Sequence, residues 1–166
     1  NVQPQVDDGL YPAKRSIGEM VEVTADIFGD GHDHIRANVL YKKSSETHWH
    51  KIEMNSEIND RWRGSFSVSE RGQYVFTVTA WIDHFETWYD GFKKKVAAKV
   101  DVRLELKEGV QFLKVLSKGQ NDELSKAIRR LEVEYEGAVA FVLTKDFEAL
   151  VHAYPFVEHE TQYFKT

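Results

Sequence analysis

The spacing of the hydrophobic residues changes partway along the chain, and this change constrains the fold more than any other feature of the sequence. In the first half, apolar and polar residues alternate in several short segments, as they do in half-buried strands whose successive side chains point to opposite faces. Such segments start at Met20, Arg61 and Gln73, and short polar stretches separate them. In the first of them, the residues on the apolar face are Val21, Val23, Ala25 and Ile27. Several strands of this kind predict an all-β sandwich of immunoglobulin type.

Two further stretches complete the predicted sandwich. Residues 29–33 (GDGHD) supply turn residues between the first strand and the next, RANVLYK, so these two strands are predicted to form a hairpin. A strand over residues 96–106 is predicted to be the last of the sandwich.

Beyond this point the apolar residues have helical spacing. Two sets of four residues, spaced three or four apart, each define one helical face: Leu106, Val110, Leu113 and Leu116, then Leu124, Ile128, Leu131 and Tyr135. Asn121 and Asp122, after a break at Lys118 and Gly119, are placed to cap a helix, as is Thr144, and Pro155 is expected to end the last helix.

The sequence therefore predicts a mainly β protein with an α appendage. We expect an immunoglobulin-like β-sandwich domain at residues 1–106 and a small helical hairpin or bundle at residues 107–166.

Charge and residue content exclude several kinds of partner. The chain has 22 Lys and Arg against 27 Asp and Glu, a net charge of -5, so it has no basic surface for nucleic acid or anionic lipid. It has no cysteine, hence no disulfide or thiolate metal site, and a cytoplasmic location is predicted. No stretch approaches the ~20 apolar residues of a membrane span. No nucleotide-binding or nucleophile-elbow motif occurs, so no cofactor is predicted.

The stretch TAWIDHFETW, residues 79–88, combines acidic and aromatic residues. Asp83 and Glu86 could approach the separation of roughly 5 Å that a retaining glycosidase needs between its carboxyl groups. No barrel or deep cleft is predicted beside them, so we assign no catalytic residue and expect these acids at the solvated rim of a sheet.

The turn at residues 29–33 and its neighbour His34 offer possible metal ligands, namely Asp30, His32, Asp33 and His34. Their spacing matches neither an EF-hand nor a helical zinc site. A solvated turn is the preferred interpretation, no metal is predicted, and a metal-dependent enzyme that uses His32 and His34 is a rival hypothesis.

The tryptophans leave two alternatives open. Trp62 lies on the apolar face of its strand and is predicted to be a core residue. Trp81 faces the other way, and we expect the helices to cover it, since exposed apolar patches are uncommon. Alternatively, Trp81 and Trp88 stack on α-glucan in a carbohydrate-binding module. Trp81, Trp88 and Asp83 are accordingly the candidates for contact with carbohydrate or for an interface.

Three stretches of the sequence together resemble a known family. AKRSIGEMVEVTADIFGDGHDHI, NDRWRGSF, and YVFTVTAWIDHFETW followed by GFKKK are similar to the amino-terminal region of the α-1,4-glucan:maltose-1-phosphate maltosyltransferases, members of the α-amylase superfamily of glycoside hydrolases. The resemblance extends from about Gln3 to Lys107. It assigns a family role of unspecified kind to the matched positions Asp30, Gly31, His32, Asp33, Asp60, Trp62, Trp81, Asp83 and Trp88.

This resemblance implies a parent enzyme that transfers maltosyl units from maltose 1-phosphate to an α-glucan with retention. Its aspartate nucleophile and glutamate acid/base would lie in a (β/α)₈ barrel, which needs about 250 residues. No catalytic residue can therefore be carried over to this chain. The resemblance implies a non-catalytic N-terminal domain that serves as scaffold and as a contact in a homodimer, with the barrel of the same polypeptide as its partner.

Overall fold

A computed structural model describes residues 1–118 and 121–164 and divides them into two compact units. The first, which we call the sheet unit, contains Asn1–Gly31, Ile35–Ile82 and the residues from His159 onward. The second, the helical unit, contains His32–His34 and Asp83–Glu158. The predicted combination of a β-sandwich with a helical part is confirmed.

As far as residue 164, the sheet unit contains two antiparallel sheets of four strands each. The strands, in chain order, are β1 (Val2–Gln3), β2 (Met20–Asp26), β3 (Ile35–Lys43), β4 (His50–Glu53), β5 (Asn55–Ser56), β6 (Arg61–Ser67), β7 (Tyr74–Ile82) and β8 (Thr161–Gln162). One sheet has the order β1-β2-β6-β5 and the other β4-β3-β7-β8.

The core of the sheet unit lies between its two sheets. Buried apolar side chains come from alternate positions of both, chiefly Val21, Val23, Ala25 and Phe66 from one sheet and Ala37, Val39 and Val78 from the other. Trp62 packs against this core, and its Nε1 donates a hydrogen bond to the carbonyl oxygen of Ile27 at 3.2 Å. For β2 and β6, the alternation in the sequence thus identified the buried face correctly, and the prediction of a core role for Trp62 is confirmed.

The predicted hairpin between the first two long strands is wrong. β2 pairs with β6, whereas β3 pairs with β4 and β7 in the other sheet. The stretch at residues 29–33 therefore belongs to a connection between sheets. That connection, residues 27–34, is longer than the two to five residues of most hairpin loops.

Within residues 32–34, 83–118 and 121–158, the helical unit has five helices around a core of its own. They are α1 (His84–Ala97), α2 (Arg103–Ser117), α3 (Asp122–Leu131), α4 (Tyr135–Val142) and α5 (Lys145–Ala153). The largest fully buried side chains of this core are Phe85, Phe92, Leu113, Leu124 and Phe147. None of the helices in the described part of the chain has the length and apolar character needed to span a bilayer.

The helix signals near the C-terminal end are confirmed in most details. The side chain of Asn121 accepts hydrogen bonds from the first backbone N–H groups of α3, and Thr144 accepts one at the start of α5. α5 ends at Ala153, before Pro155. Tyr135 begins α4 and does not extend the face of α3. Gly119, part of the predicted break, lies outside the described residues.

The predicted strand over residues 96–106 is wrong, because this stretch holds the end of α1 and the start of α2. Val102 and Leu106 are both buried in the helical core, where a spacing of four residues places them on one helical face. The change from strands to helices therefore comes at Asp83, earlier than the sequence suggested. The division into domains at residues 1–106 and 107–166 stays a prediction.

Candidate functional site

The three candidate residues lie at the end of β7 and in the first turns of α1. Trp81 belongs to the sheet unit, whereas Asp83 and Trp88 belong to the helical unit.

Trp81 is buried, with an exposed fraction of 5%. Within the sheet unit, Nζ of Lys51 lies 5.3 Å from the centre of its ring. Its Nε1 has no hydrogen-bond partner among residues 1–118 and 121–164. Thr77 and Thr79, on the same face of β7, are buried as well. The prediction that the helices cover this ring stays a prediction.

Asp83 is fully buried, so the expectation that it lies at a solvated rim is wrong. Its Oδ1 accepts hydrogen bonds from three backbone N–H groups, those of Phe85 at 3.1 Å and of Glu86 and Phe156 at 3.2 Å. Its own backbone N–H donates to the carbonyl oxygen of His34 at 2.7 Å. A carboxylate at a helix N-terminus satisfies donors that the helix leaves free and complements the positive end of its dipole. Asp83 therefore caps α1 and joins two other segments to it, the one at Phe156 through its carboxylate and the one at His34 through its backbone N–H.

The carboxylate of Glu86, the second acid of the stretch at residues 79–88, lies near two histidines. Its Oε1 lies 3.4 Å from Nδ1 of His152 and 3.9 Å from Nδ1 of His34. His34 also places Nε2 at 3.7 Å from Oδ2 of Asp90, whose pKa is held below its ordinary value mainly by a hydrogen bond from Lys94. The two carboxylates therefore have different partners, namely backbone N–H groups for Asp83 and histidine rings for Glu86. The prediction that neither is catalytic stays a prediction.

Of the four possible metal ligands in the rival hypothesis, Asp30 lies in the sheet unit and His32, Asp33 and His34 in the helical unit. Among the residues that the structure describes, no group of three or more His, Asp or Glu side chains is arranged to hold a metal ion.

Trp88 lies in the core of the helical unit, with an exposed fraction of 8%. Its Nε1 donates to the carbonyl oxygen of Glu105 at 2.9 Å, and its ring stacks on Phe85 with centroids 5.6 Å apart. The ring also lies directly against Gly109 of α2. Buried indoles with a satisfied N–H are typical core residues, so the indole joins α1 to α2.

Glu105 and Lys95 form an ion pair beside this indole. The hydrogen bond from Lys95 holds the pKa of the Glu105 carboxyl below its ordinary value of about 4.5. The same bond raises the pKa of Lys95.

We expect the free energy of unfolding to fall as the pH drops below about 4.5. A carboxyl whose pKa is lower in the folded chain stabilises the fold above its unfolded-state pKa, and that contribution is lost as the pH falls through the folded-state value. Glu105 is expected to contribute in this way. Urea unfolding at about pH 7 and about pH 3 measures the effect, and Glu105→Gln should show a smaller difference between the two pH values. An unchanged pH dependence in Glu105→Gln would assign the effect to other carboxyls.

Sequence reasoning missed the roles of Glu105 and Gly109. A glycine inside a helical run is one available signal, because it marks either a weak helix or a close approach of another group. No local pattern pointed to Glu105, whose partners Trp88 and Lys95 both lie on the preceding helix.

The chain is similar to known proteins over most of its length. The family described as "Alpha-1,4-glucan:maltose-1-phosphate maltosyltransferase, domain N/S" matches residues 1–165. A relative with that enzyme name from Chlorobaculum tepidum is 42% identical over 122 residues, which are 74% of this chain and 18% of the relative. Relatives of the same name from Myxococcus xanthus and Methylacidiphilum infernorum are 40% identical over 116 residues and 34% identical over 132 residues. The matches cover 68% and 79% of this chain, but only 17% and 20% of those two relatives. The chain therefore spans about a fifth of the length of these relatives.

Proposed function

The chain belongs to the domain N/S family of the alpha-1,4-glucan:maltose-1-phosphate maltosyltransferases, and from this premise we propose that it is the non-catalytic N-terminal domain of a glucan-elongating enzyme. The observation that carries the proposal is the coverage, because the chain matches only 17–20% of each of three relatives that bear the enzyme's name. Most of such a polypeptide remains for a catalytic domain of about 250 residues, the size of a (β/α)₈ barrel.

The proposed activity belongs to the whole polypeptide. It would transfer maltosyl units from maltose 1-phosphate to α-1,4-glucan with retention, in the cytoplasm, using residues of the barrel. The immunoglobulin-like sandwich and the helices would act as a scaffold for that barrel.

The hydrogen bonds and the packing of the candidate residues support a scaffold role. The Asp83 carboxylate accepts three backbone hydrogen bonds, and Trp88 is enclosed by the helical core. A carbohydrate-binding module that uses Trp81 and Trp88 is the competing proposal. Stacking on a sugar needs an accessible ring face, and both rings are buried, so we favour the scaffold.

A contact within a homodimer is the second part of the proposed role. The helical unit exposes several large apolar side chains, among them Leu104, Val115 and Val133. Leu104 and Val115 both lie on α2, and exposed apolar side chains that form a contiguous patch mark surfaces that bind another protein.

The isolated 166-residue chain is expected to sediment as a dimer and to release no phosphate from maltose 1-phosphate in the presence of glycogen. Analytical ultracentrifugation and a phosphate assay on the same preparation check both statements, with the complete polypeptide as the positive control for phosphate. A monomer over the whole concentration range would contradict the dimer contact, and phosphate release by the isolated chain would contradict the non-catalytic role.

A further inference from the structure

A cavity of about 490 Å³ opens at one end of the sandwich, where β2 begins and β6 ends. The N-terminal stretch between Pro4 and Arg15 forms one side of it, and the start of β7 forms another. All the residues that line it belong to the sheet unit. We call it the sandwich-end cavity.

Aromatic rings supply much of the apolar lining. Phe66 is buried and stacks on Tyr41, with centroids 4.2 Å apart and planes 10° apart, so its position is fixed. Tyr74 and Phe76 are half-buried at the start of β7. Tyr11, from the N-terminal stretch of the lining, has an exposed fraction of 61%. The cavity therefore combines fixed rings with one accessible ring.

Neutral hydrogen-bonding groups accompany the rings. The hydroxyl of Tyr163 accepts a bond from Nε2 of Gln5 at 3.2 Å, and the hydroxyl of Tyr74 accepts one from the backbone N–H of Glu70 at 3.3 Å. Because each of these hydroxyls acts as an acceptor, each keeps its own proton for a further bond. The side-chain amide of Gln73 adds a donor and an acceptor.

The charge of the lining decides between ligand classes. Among the described residues, Arg15 is the one charged side chain that lines the cavity, and its Nε lies 3.5 Å from a carboxylate oxygen of Glu19. Phosphate groups are bound by several cations or by a helix N-terminus, and a single, partly neutralised arginine is a poor match. Aromatic faces with neutral donors and acceptors instead match a sugar, whose ring has apolar C–H faces and a rim of hydroxyls.

We propose that the sandwich-end cavity binds a short stretch of neutral α-1,4-glucan, with Tyr11 stacked on a sugar ring. The volume lies within the ~300–1,000 Å³ of small-molecule sites, which suits an oligosaccharide segment. The inference rests on the proposed function, which supplies the ligand class, and it adds a second role to the scaffold: holding the acceptor polymer on the enzyme outside the barrel.

Isothermal titration of the intact chain with maltoheptaose tests the proposal. Saturable binding is expected, and Tyr11→Ala should raise the dissociation constant about tenfold through loss of the stacked ring. Phe28→Ala is the matched control, because Phe28 is an aromatic of the same unit with an exposed fraction of 77% that does not line the cavity. Phe28→Ala should leave the dissociation constant for maltoheptaose within about twofold of the value for the unmodified chain. Maltose 1-phosphate should bind to the unmodified chain at least about tenfold more weakly than maltoheptaose.

Absence of saturable maltoheptaose binding overturns the proposal, as does an equal constant for Tyr11→Ala and the unmodified chain. If circular dichroism shows Tyr11→Ala to be unfolded, Gln73→Ala replaces it, because that change leaves the backbone bond from Ser44 to the Gln73 carbonyl intact. The dissociation constant for maltoheptaose is then expected to be at least about fivefold higher in Gln73→Ala than in the unmodified chain, and an unchanged constant overturns the proposal. The dimer mass and the phosphate assay do not depend on this cavity, so failure here is distinguishable from failure of the proposed function.

Discussion

Replacement of Asp83 with alanine is expected to lower the free energy of unfolding by about 3 kcal/mol. The change removes the N-cap of α1, which alone costs about 0.5–2 kcal/mol. It also leaves the backbone N–H groups of Phe85, Glu86 and Phe156 without the acceptor they share in a buried place, and each unsatisfied buried donor costs about 1–3 kcal/mol before relaxation. Urea unfolding followed by circular dichroism at the helix band measures the loss.

Two variants distinguish the effect of losing the buried carboxylate of Asp83 from the effect of losing an N-cap. Thr144→Ala removes the N-cap of α5, whose side chain accepts one bond, from the Phe147 N–H at 3.2 Å, and should cost about 1 kcal/mol. Asp83→Asn keeps an acceptor oxygen in place and should cost less than Asp83→Ala. A loss for Asp83→Ala no larger than that for Thr144→Ala would show that the bond from Phe156 contributes nothing.

The position of Asp83 was predicted wrongly from the sequence. The sequence predicts Asp83 at the solvated rim of a sheet, because alternation along β7 does not show where the strand ends. In the structure β7 ends at Ile82, and Asp83 is the N-cap of α1. The sequence contained a better signal, because Asp83 is followed three residues later by Glu86, and the apolar residues Phe85, Trp88, Tyr89 and Phe92 have helical spacing. All four are buried on α1.

Features set by neighbours in the sequence were predicted correctly. The buried face of β2 follows from alternation, and the caps at Asn121 and Thr144 follow from side chains that bond backbone groups two or three residues away. Strand pairing was predicted wrongly, because the choice of β6 as the partner of β2 depends on contacts across about forty residues, which no local pattern records.

The candidate sites depend on contacts of still longer range. Asp83 receives its third hydrogen bond from Phe156, and Tyr163 meets Gln5 at the sandwich-end cavity. Both involve the last part of the chain, after α5, where the sequence predicted only the end of a helix at Pro155. Cavities of this kind form where distant segments meet, so single-sequence patterns do not reveal them.

The second large effect is expected from Gly109→Ala, which should lower the free energy of unfolding by about 2 kcal/mol. A Cβ at this position would lie 2.5 Å from Cζ2 and 2.6 Å from Cη2 of Trp88. The indole cannot move away easily, because its Nε1 is bonded to the Glu105 carbonyl and its ring is packed against Phe85 and Phe92. Overpacking of this kind costs about 1–3 kcal/mol or more, which outweighs the gain of up to about 1 kcal/mol from placing alanine in a helix.

Gly91→Ala provides a control with the opposite expected sign. Gly91 lies within α1, and a Cβ there would meet nothing within 4 Å, so only the helix-propensity gain of about 0.5–1 kcal/mol remains. The midpoints of thermal and urea unfolding should therefore be lower for Gly109→Ala and higher for Gly91→Ala than for the unmodified chain. A double variant with Trp88→Phe should recover part of the Gly109→Ala loss, because the smaller ring leaves room for the methyl group. Equal stabilisation by both glycine replacements would mean that the indole does not lie against α2 at Gly109.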